Sequence, residues 1–575
     1  MACPLRALLL AAGAVALIAP AAPAAGAIVS APVSIPAGLP DDEGRPVALD
    51  GGVTFPEGGC ENESCPGVII NHGFTGNWTN STRISEQLAA EGYVVLRYSS
   101  RGFGATPGEV DLMGPKERQD LLDAVHWLND PASPVVGGMV THDRIGQFGG
   151  SYGGAHAWSL ALANDPAVRT VVPTATWTDI YDALLPNDVA LLAYANGFYA
   201  TGFEPTARLL GGELSTTNNY SQNMHRWVAQ MNGGIDLGGL EADLAGHSPA
   251  GRLDEVKIPI FLIQGTNDGL FSQNQALDAY RELSARGVPT RLYVGGIGHP
   301  PSDGSLDSPE AKHIGDEVLA WFDHYLKDEQ NGIDQMPPIE YSRADYFDNA
   351  WDGRTRSANA YPFGPALAMH FCTTGPAGGA LSATPCLDAQ PAALVNGYAG
   401  RGWNQDAATA GYAKELTGGF EDASGAPFPD VSGAPPTLTY DSEVLTEDLD
   451  LAGVPTLELQ VASISSLPAG ARGSTAAFQL DPKFYDVAPD GTAKLLTRGA
   501  FAEPLEARSP ETIVTPRHQV RFDAFGLSNL VPTGHRLRIT LNTEDAPYLK
   551  PTVNPFAAAL FGGSRVELPT AEDLR

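Results

Sequence analysis

The chain has 575 residues, 67 of them acidic against 35 basic, and a formal net charge of −32 at pH 7. Such a charge repels nucleic acid and anionic membrane surfaces, which argues against both as partners. A hydrophobic content of 43% with 18% charged residues supports sizeable cores, and the length exceeds one ordinary domain.

The first residues have the pattern of an export signal. Arg6 supplies the positive charge, Ala7 to Ala19 is apolar, and Ala22-Pro23-Ala24 and Ala25-Gly26-Ala27 both fit an A-x-A cleavage site. Cys3 precedes the apolar run and does not read as a lipid-attachment cysteine. Residues 1–27 are therefore read as a secretory signal peptide and the protein as secreted, to an extracellular or periplasmic/cell-wall space. No later stretch reaches the roughly 18 uninterrupted apolar residues of a membrane span.

Ile28 to Glu57 reads as extended segments. Strands are then predicted at Gly67–Ile70, Tyr93–Tyr98, Arg144–Phe148, Thr170–Pro173, Ile258–Ile263 and Arg291–Val294. Helices are predicted at Ser85–Glu91, Lys116–Leu128, Asn274–Arg286 and Glu310–Tyr325. Continuous apolar strands alternating with helices imply an α/β fold, a mostly parallel sheet with helices on both faces. The interval Asp179 to Leu253 breaks this rhythm with helix-like stretches at Asp188–Tyr199 and Tyr220–Met231, and reads as a helical cap over the site. After about Asp328 Gly, Pro, Ala and Thr dominate. From Thr437 short alternating runs follow, at Thr437–Tyr440, Thr456–Ser463, Thr475–Asp481, Lys494–Thr497, Val514–Phe522 and Arg536–Asn542. That texture predicts a C-terminal all-β sandwich. The expected division is 28–335 for the α/β domain, with its cap at about 179–253, and 336–575 for the β domain.

Without Cys3 four cysteines remain, in two local pairs, and the predicted disulfides are Cys60–Cys65 and Cys372–Cys386. Other connectivities stay formally open. A zinc site fits poorly, since neither pair has C-x₂-C spacing or a histidine pair nearby.

Between strand Arg144–Phe148 and the Ala-rich run Ala155–Ala163 lies Gly149-Gly150-Ser151-Tyr152-Gly153-Gly154, a G-x-S-x-G at a strand-to-helix turn. A serine there sits on a strained elbow that exposes its hydroxyl, and small residues beside it let strand and helix pack closely. The reading as a serine nucleophile requires a later acid and then a histidine. Asp268 follows strand Ile258–Ile263, and His299 follows strand Arg291–Val294. Both fall at the sheet edge that carries Ser151. His299 is expected to be the general acid/base and Asp268 to orient it. The expected oxyanion hole is the backbone N–H of Tyr152 with that of Phe74, from the loop Asn71-His72-Gly73-Phe74-Thr75-Gly76. His72 is the rival base, disfavoured because it precedes the serine. Trp177 and Tyr181, just after a strand, line an acyl pocket or belong to the core. No metal, nucleotide or flavin site is expected, no cofactor is called for, and no G-x-x-x-x-G-K-[ST] loop occurs.

The elbow, Asp268 and His299 stand beside the segment Ser99-Ser100-Arg101-Gly102-Phe103-Gly104 and, later, Leu445-Thr446-Glu447-Asp448-Leu449-Asp450-Leu451-Ala452-Gly453 and Gly534-His535-Arg536-Leu537-Arg538-Ile539. Together they resemble the Xaa-Pro dipeptidyl-peptidase (S15) and cocaine-esterase-like hydrolases over nearly all of the chain after the signal. The resemblance implies an α/β-hydrolase with a helical cap and a C-terminal jelly-roll. It also implies a small-molecule ester or a proline-containing peptide as substrate. Two departures stand out. The resemblance calls for a tyrosine hydroxyl in the oxyanion hole where this chain has Phe74, and for an Asp before Arg-Gly where it has Ser99-Ser100. Dipeptide release would need an acid for the α-amine, for which Asp179, Asp182 and Glu204 are the candidates. The expected activity is ester hydrolysis, with Xaa-Pro dipeptide release as the alternative. A third reading is a binding protein, in which the hydrolase domain is inactive and the jelly-roll binds carbohydrate or cell wall.

Overall fold

In a computed structural model of the chain, the described residues are 27–574 apart from 61–63, 202–218, 267, 300–307, 344–354, 387–389, 397–436, 467–475, 505–511, 546–547 and 553. The signal-peptide reading and Glu204 lie outside them.

The N-terminal part is built on twelve strands: β1 Ile28–Pro36, β2 Ala48–Pro56, β3 Cys65–Asn71, β4 Val94–Tyr98, β5 Glu109–Val110, β6 Val140–Gly150, β7 Val168–Thr174, β8 Asn219–Tyr220, β9 Ile260–Gly265, β10 Thr290–Gly295, β11 Ile339–Ser342 and β12 Thr355–Ala358. Among the described residues ten of them form one sheet in the order β1-β2-β4-β3-β6-β7-β9-β10-β11-β12. β4 through β11 pair in parallel, and β2 and β12 run antiparallel to their neighbours at the two edges. Every residue of β3, β4, β9 and β10 is buried, because helices cover both faces. On one face the helix Pro115–Asn129 buries Leu121, Ala124, Val125 and Leu128. On the other, Trp321 and Phe322 of the helix Pro309–Lys327 pack with Val68, Ile70, Phe261 and Tyr293. The extended N-terminal segments prove to be β1 and β2, which lengthen this sheet. No described helix is long and apolar enough to cross a membrane.

One boundary differs from expectation. β11 and β12 were expected in the C-terminal domain, yet β11 pairs in parallel with β10 and β12 pairs with β11. β11 reads Ile-Glu-Tyr-Ser and β12 Thr-Arg-Ser-Ala, so neither has an apolar run to mark it as a strand. The sheet of the α/β unit therefore takes in two strands from beyond residue 335, as far as Ala358.

Between β7 and β9 lie the helices Ile180–Leu184, Leu192–Thr201, Gln222–Gly233 and Leu237–Ala245. They stand over the C-terminal ends of the strands as the cap.

The C-terminal region is all-β. Its last strand, Phe556–Pro569, is central and pairs with Ala366–Gly375, Ala392–Asn396 and Thr456–Ser466. Thr456–Ser466 alternates buried and half-buried residues along most of its length. Inward residues from strands across the sheet, among them Phe371, Leu438, Leu459, Phe484 and Leu560, fall into one core cluster, so the sheet curls on itself as a sandwich. Both expected disulfides, Cys60–Cys65 and Cys372–Cys386, are present.

Candidate active site

β6 ends at Gly150 and the helix Tyr152–Ala163 begins one residue beyond Ser151. Ser151 itself has φ 58° and ψ −121°, a conformation that L residues avoid. The turn holds because its neighbours have no side chains. A Cβ on Gly153 would lie 2.2 Å from the Asn71 carbonyl oxygen, and one on Gly149 would lie 2.4 Å from that of Gly153. The 71–76 loop also runs beside the serine, since a Cβ on Gly73 would meet Ser151 Cβ at 3.7 Å.

Asp268 and His299 come to the serine from the ends of β9 and β10, two neighbours in the sheet. A Cβ on Gly265, at the end of β9, would strike the Gly298 carbonyl at 2.2 Å, so the two loops meet through glycine. Asp268 is fully buried. Its Oδ1 accepts the backbone N–H groups of Leu270 and Phe271, each at 2.9 Å. Its Oδ2 lies 2.9 Å from His299 Nδ1 and accepts from Gln264 Nε2 at 3.2 Å. A buried carboxylate held by N–H donors can only accept, so His299 Nδ1 carries the proton. Nε2 is then the acceptor, and Ser151 Oγ donates to it across 3.0 Å. The three residues named from their order in the chain thus form one hydrogen-bonded line.

His72 is elsewhere. It is buried, its Nε2 accepts the Ser100 N–H at 2.9 Å and its Nδ1 donates to the Gly73 carbonyl at 2.7 Å. Burial pulls its pKa down to about 4, so it is a neutral strut under the loop. The departures noted above have structural roles. The Ser100 hydroxyl meets His156 Nε2 at 3.0 Å, and the Phe74 ring packs edge-on against Phe103, Tyr152 and Phe198.

An apolar cavity opens beside Ser151. The loop and elbow contribute Phe74 and Tyr152, the end of the sheet contributes Trp177 and Phe271, and the cap contributes Leu184, Phe198, Met224 and Trp227. The polar ends of these rings are turned outward. Tyr152 donates to Glu117, Trp177 Nε1 to the His247 carbonyl at 3.0 Å, and Trp227 Nε1 to Asp243 at 3.3 Å. Trp177 lines the cavity as one of its two expected readings had it. Tyr181 does not, since its hydroxyl donates to Asp188 Oδ1 at 2.7 Å. Asp179 and Asp182 are also absent from the lining. Asp179 caps the helix Ile180–Leu184, and Asp182 opens onto a separate cleft with Asp278 and Asp523.

Two buried pairs were not singled out from the sequence. Glu117 lies at the third position of the helix Pro115–Asn129, where it accepts the Gly114 N–H at 2.9 Å as well as the Tyr152 hydroxyl. The Gly-Pro-x-Glu spacing of a capping box is its signal. Arg101 makes a two-pronged pair with Asp120, at 2.9 and 2.7 Å, with both side chains buried. Nothing in a single sequence links those two. Among the described residues His313, Glu317 and Glu340 cluster tightly enough to suggest a metal site, but Arg291 already occupies their centre and pairs with both glutamates.

The fold, the strained serine and the loops that meet it define an α/β-hydrolase with an added β domain. Residues 48–301 match the X-Pro dipeptidyl-peptidase (S15 family) model, and residues 331–555 match that of the X-Pro dipeptidyl-peptidase C-terminal non-catalytic domain. The chain belongs to the X-Pro dipeptidyl-peptidase (S15) family of serine hydrolases. It is 23% identical over 580 residues to a Mycobacterium bovis protein that carries a provisional serine esterase name, covering 85% of each chain. It is 27% identical over 235 residues to dipeptidyl aminopeptidase BIII of Pseudoxanthomonas mexicana, covering 39% of this chain and 28% of that protein. Among solved structures, an α-amino acid ester hydrolase superposes with a TM-score of 0.65 at 18% identity, covering 96% of this chain and 98% of that one. A CocE/NonD family hydrolase from Staphylococcus aureus gives 0.63 at 13% identity, covering 95% and 97%. These likenesses speak to fold.

Proposed function

We propose that the protein is a secreted esterase that acts on esters of apolar carboxylic acids through an acyl-enzyme. Ser151 attacks the ester carbonyl while His299 takes its proton. Asp268 holds the imidazole and stabilises its charged form. The N–H groups of Tyr152 and Phe74 receive the developing oxyanion, and with a phenylalanine at 74 the hole relies on backbone donors alone. His299 then protonates the leaving alcohol, and water repeats the sequence to free the acid.

The observation that carries this reading is the hydrocarbon lining beside Ser151. An acyl chain fits such a surface, whereas a free α-amine needs an anion there. Among the described residues, neither of the candidate acids Asp179 and Asp182 reaches the cavity; Glu204 lies outside them. The family match favours release of Xaa-Pro dipeptides as the second reading. Export is supported by the two disulfides, which persist in oxidising compartments.

The decisive experiment compares p-nitrophenyl hexanoate with Ala-Pro-p-nitroanilide as substrates for the wild type and for Ser151→Ala. Ester turnover is expected, reduced about 10³-fold or more in the variant. Dominant amide turnover would replace the esterase reading with the dipeptidyl-peptidase one. Unchanged ester turnover in Ser151→Ala would remove the nucleophile assignment.

A further inference from the structure

On the far side of Trp177 from the acyl cavity lies a second cavity of about 330 Å³, a size suited to small ligands. Its walls come from the helix Pro115–Asn129, the elbow helix and the segment after the cap. Leu122, Trp158 and Leu162 give it an apolar floor, and Trp177 is a wall common to both cavities. Arg118 and Arg252 stand at its rim.

The two rim arginines are partnered differently. Arg252 is paired in two-pronged fashion with Glu255, at 2.9 and 2.7 Å. Arg118 donates to the Gly246 carbonyl at 2.7 Å and has no carboxylate within ion-pair distance among the described residues. Burial first, and then the facing Arg252, work against its charged form, while Glu117 and Asp111 act on it more weakly. A guanidinium stays protonated regardless. Arg252 thus has its carboxylate and Arg118 has none in contact, since the two acids whose field reaches it hold other donors, Glu117 the Gly114 N–H and the Tyr152 hydroxyl, and Asp111 the Ser221 hydroxyl.

We propose that this cavity binds an amphipathic monocarboxylate, its carboxylate between Arg118 and Arg252 and its hydrocarbon on Leu122, Leu162 and Trp177. A carboxylate gives Arg118 the bidentate partner that its planar fork accommodates. The apolar floor takes a chain that water rejects. The site is independent of the hydrolytic chemistry, and it adjoins the acyl cavity through the Trp177 ring. That ring also lies 5.5 Å from Phe271 and 6.3 Å from Tyr152, centroid to centroid.

The test is calorimetric titration of the full-length protein with octanoate and with octanol. Octanoate is expected to bind saturably, and octanol at least about tenfold more weakly, the equivalent of about 1.4 kcal/mol. Arg118→Gln and Arg252→Gln are each expected to weaken octanoate about tenfold or more, and Arg118→Lys, which keeps the charge and loses the fork, to weaken it less than Arg118→Gln does. Octanoate binding should persist when Ser151 carries a covalently attached octylphosphonyl group, which fills the acyl cavity and so separates this site from the hydrolytic one; the variants are compared in that labelled form. Equal affinity for octanoate and octanol, octanoate binding that survives both glutamine variants, or no saturable binding would overturn the proposal. Near-UV circular dichroism establishes that each variant is folded. Arg252 lies outside the Arg118–Gly246 tie, so its variant carries the test even if Arg118→Gln is unstable.

Discussion

Around Ser151 the chemistry is set by single atoms whose partners leave no alternative. Asp268 accepts two backbone N–H groups on one oxygen and the imidazole on the other, and that fixes the tautomer His299 must adopt. Glu117 shows the cost of such fixing. Burial raises its pKa to about 7, although the Tyr152 hydroxyl and the Gly114 N–H pull the other way. The folded chain therefore holds this proton more tightly than the unfolded chain does. The resulting stability is whole below the unfolded value of 4.5 and is lost as the pH rises through 7. Relative to Glu117→Gln, which does not titrate, the wild type should lose on the order of 3 kcal/mol across that window. Denaturant unfolding at a series of pH values reads this directly, and parallel pH curves for the two proteins would refute it.

Within and between elements, the legibility of the sequence followed how local each signal was. The helix predicted at Lys116–Leu128 is Pro115–Asn129, because its apolar face and its Gly-Pro-x-Glu start both lie within one segment. Arg536–Asn542 was read at its observed limits because it alternates. Phe556–Pro569, fourteen residues long, was missed. It alternates buried and half-buried residues, but through Ala-Ala-Ala and Gly-Gly, residues that carry little strand signal of their own. β11 falls within the part that matches the C-terminal domain model, and its pairing with β10 is a tertiary fact that the sequence does not show. The elbow, Asp268 and His299 were legible because each follows its own apolar strand. The apolar cavity was not, since its walls come from four separate parts of the chain. The Arg101–Asp120 pair belongs with the illegible features, and it joins the segment after β4 to the helix Pro115–Asn129. Arg101 also donates to the carbonyls of Leu39 and Pro40. Asp120→Ala would leave a buried guanidinium without its anion, and a loss of about 3–5 kcal/mol is expected. Chemical denaturation measures it. The double variant Arg101→Met/Asp120→Leu should be less damaging than Asp120→Ala alone, and the opposite order would show that the pair itself is the stabilising element.

Across the whole molecule, the β domain supports the acid loop. Tyr548 donates to the carbonyl of Gly269, the residue after Asp268, at 2.7 Å. Behind it, Arg498 stacks on the Tyr548 ring and pairs with Asp545 at 2.8 Å, and Lys483 holds the same carboxylate at 2.7 Å. Asn274 adds two further bonds across the junction, to Ala524 and Gly526. Tyr548→Phe removes one bond from the acid loop, so kcat is expected to fall about 2- to 10-fold with KM little changed. A steady-state comparison on the ester substrate decides it, and an unchanged kcat would show that the loop holds its shape unaided.

The central position of Phe556–Pro569 has a consequence for timing. A ribosome delivers this strand after the three that pair with it, and the sandwich that presents Tyr548 is incomplete until it arrives. Ser151, Asp268 and His299 all precede residue 300, but the Asp268 loop gains its buttress only after Tyr548 and the strand Phe556–Pro569 have followed. Phe556–Pro569 thus acts as a clasp, and a nascent chain that has not reached it holds a hydrolase whose Asp268 loop is not yet secured.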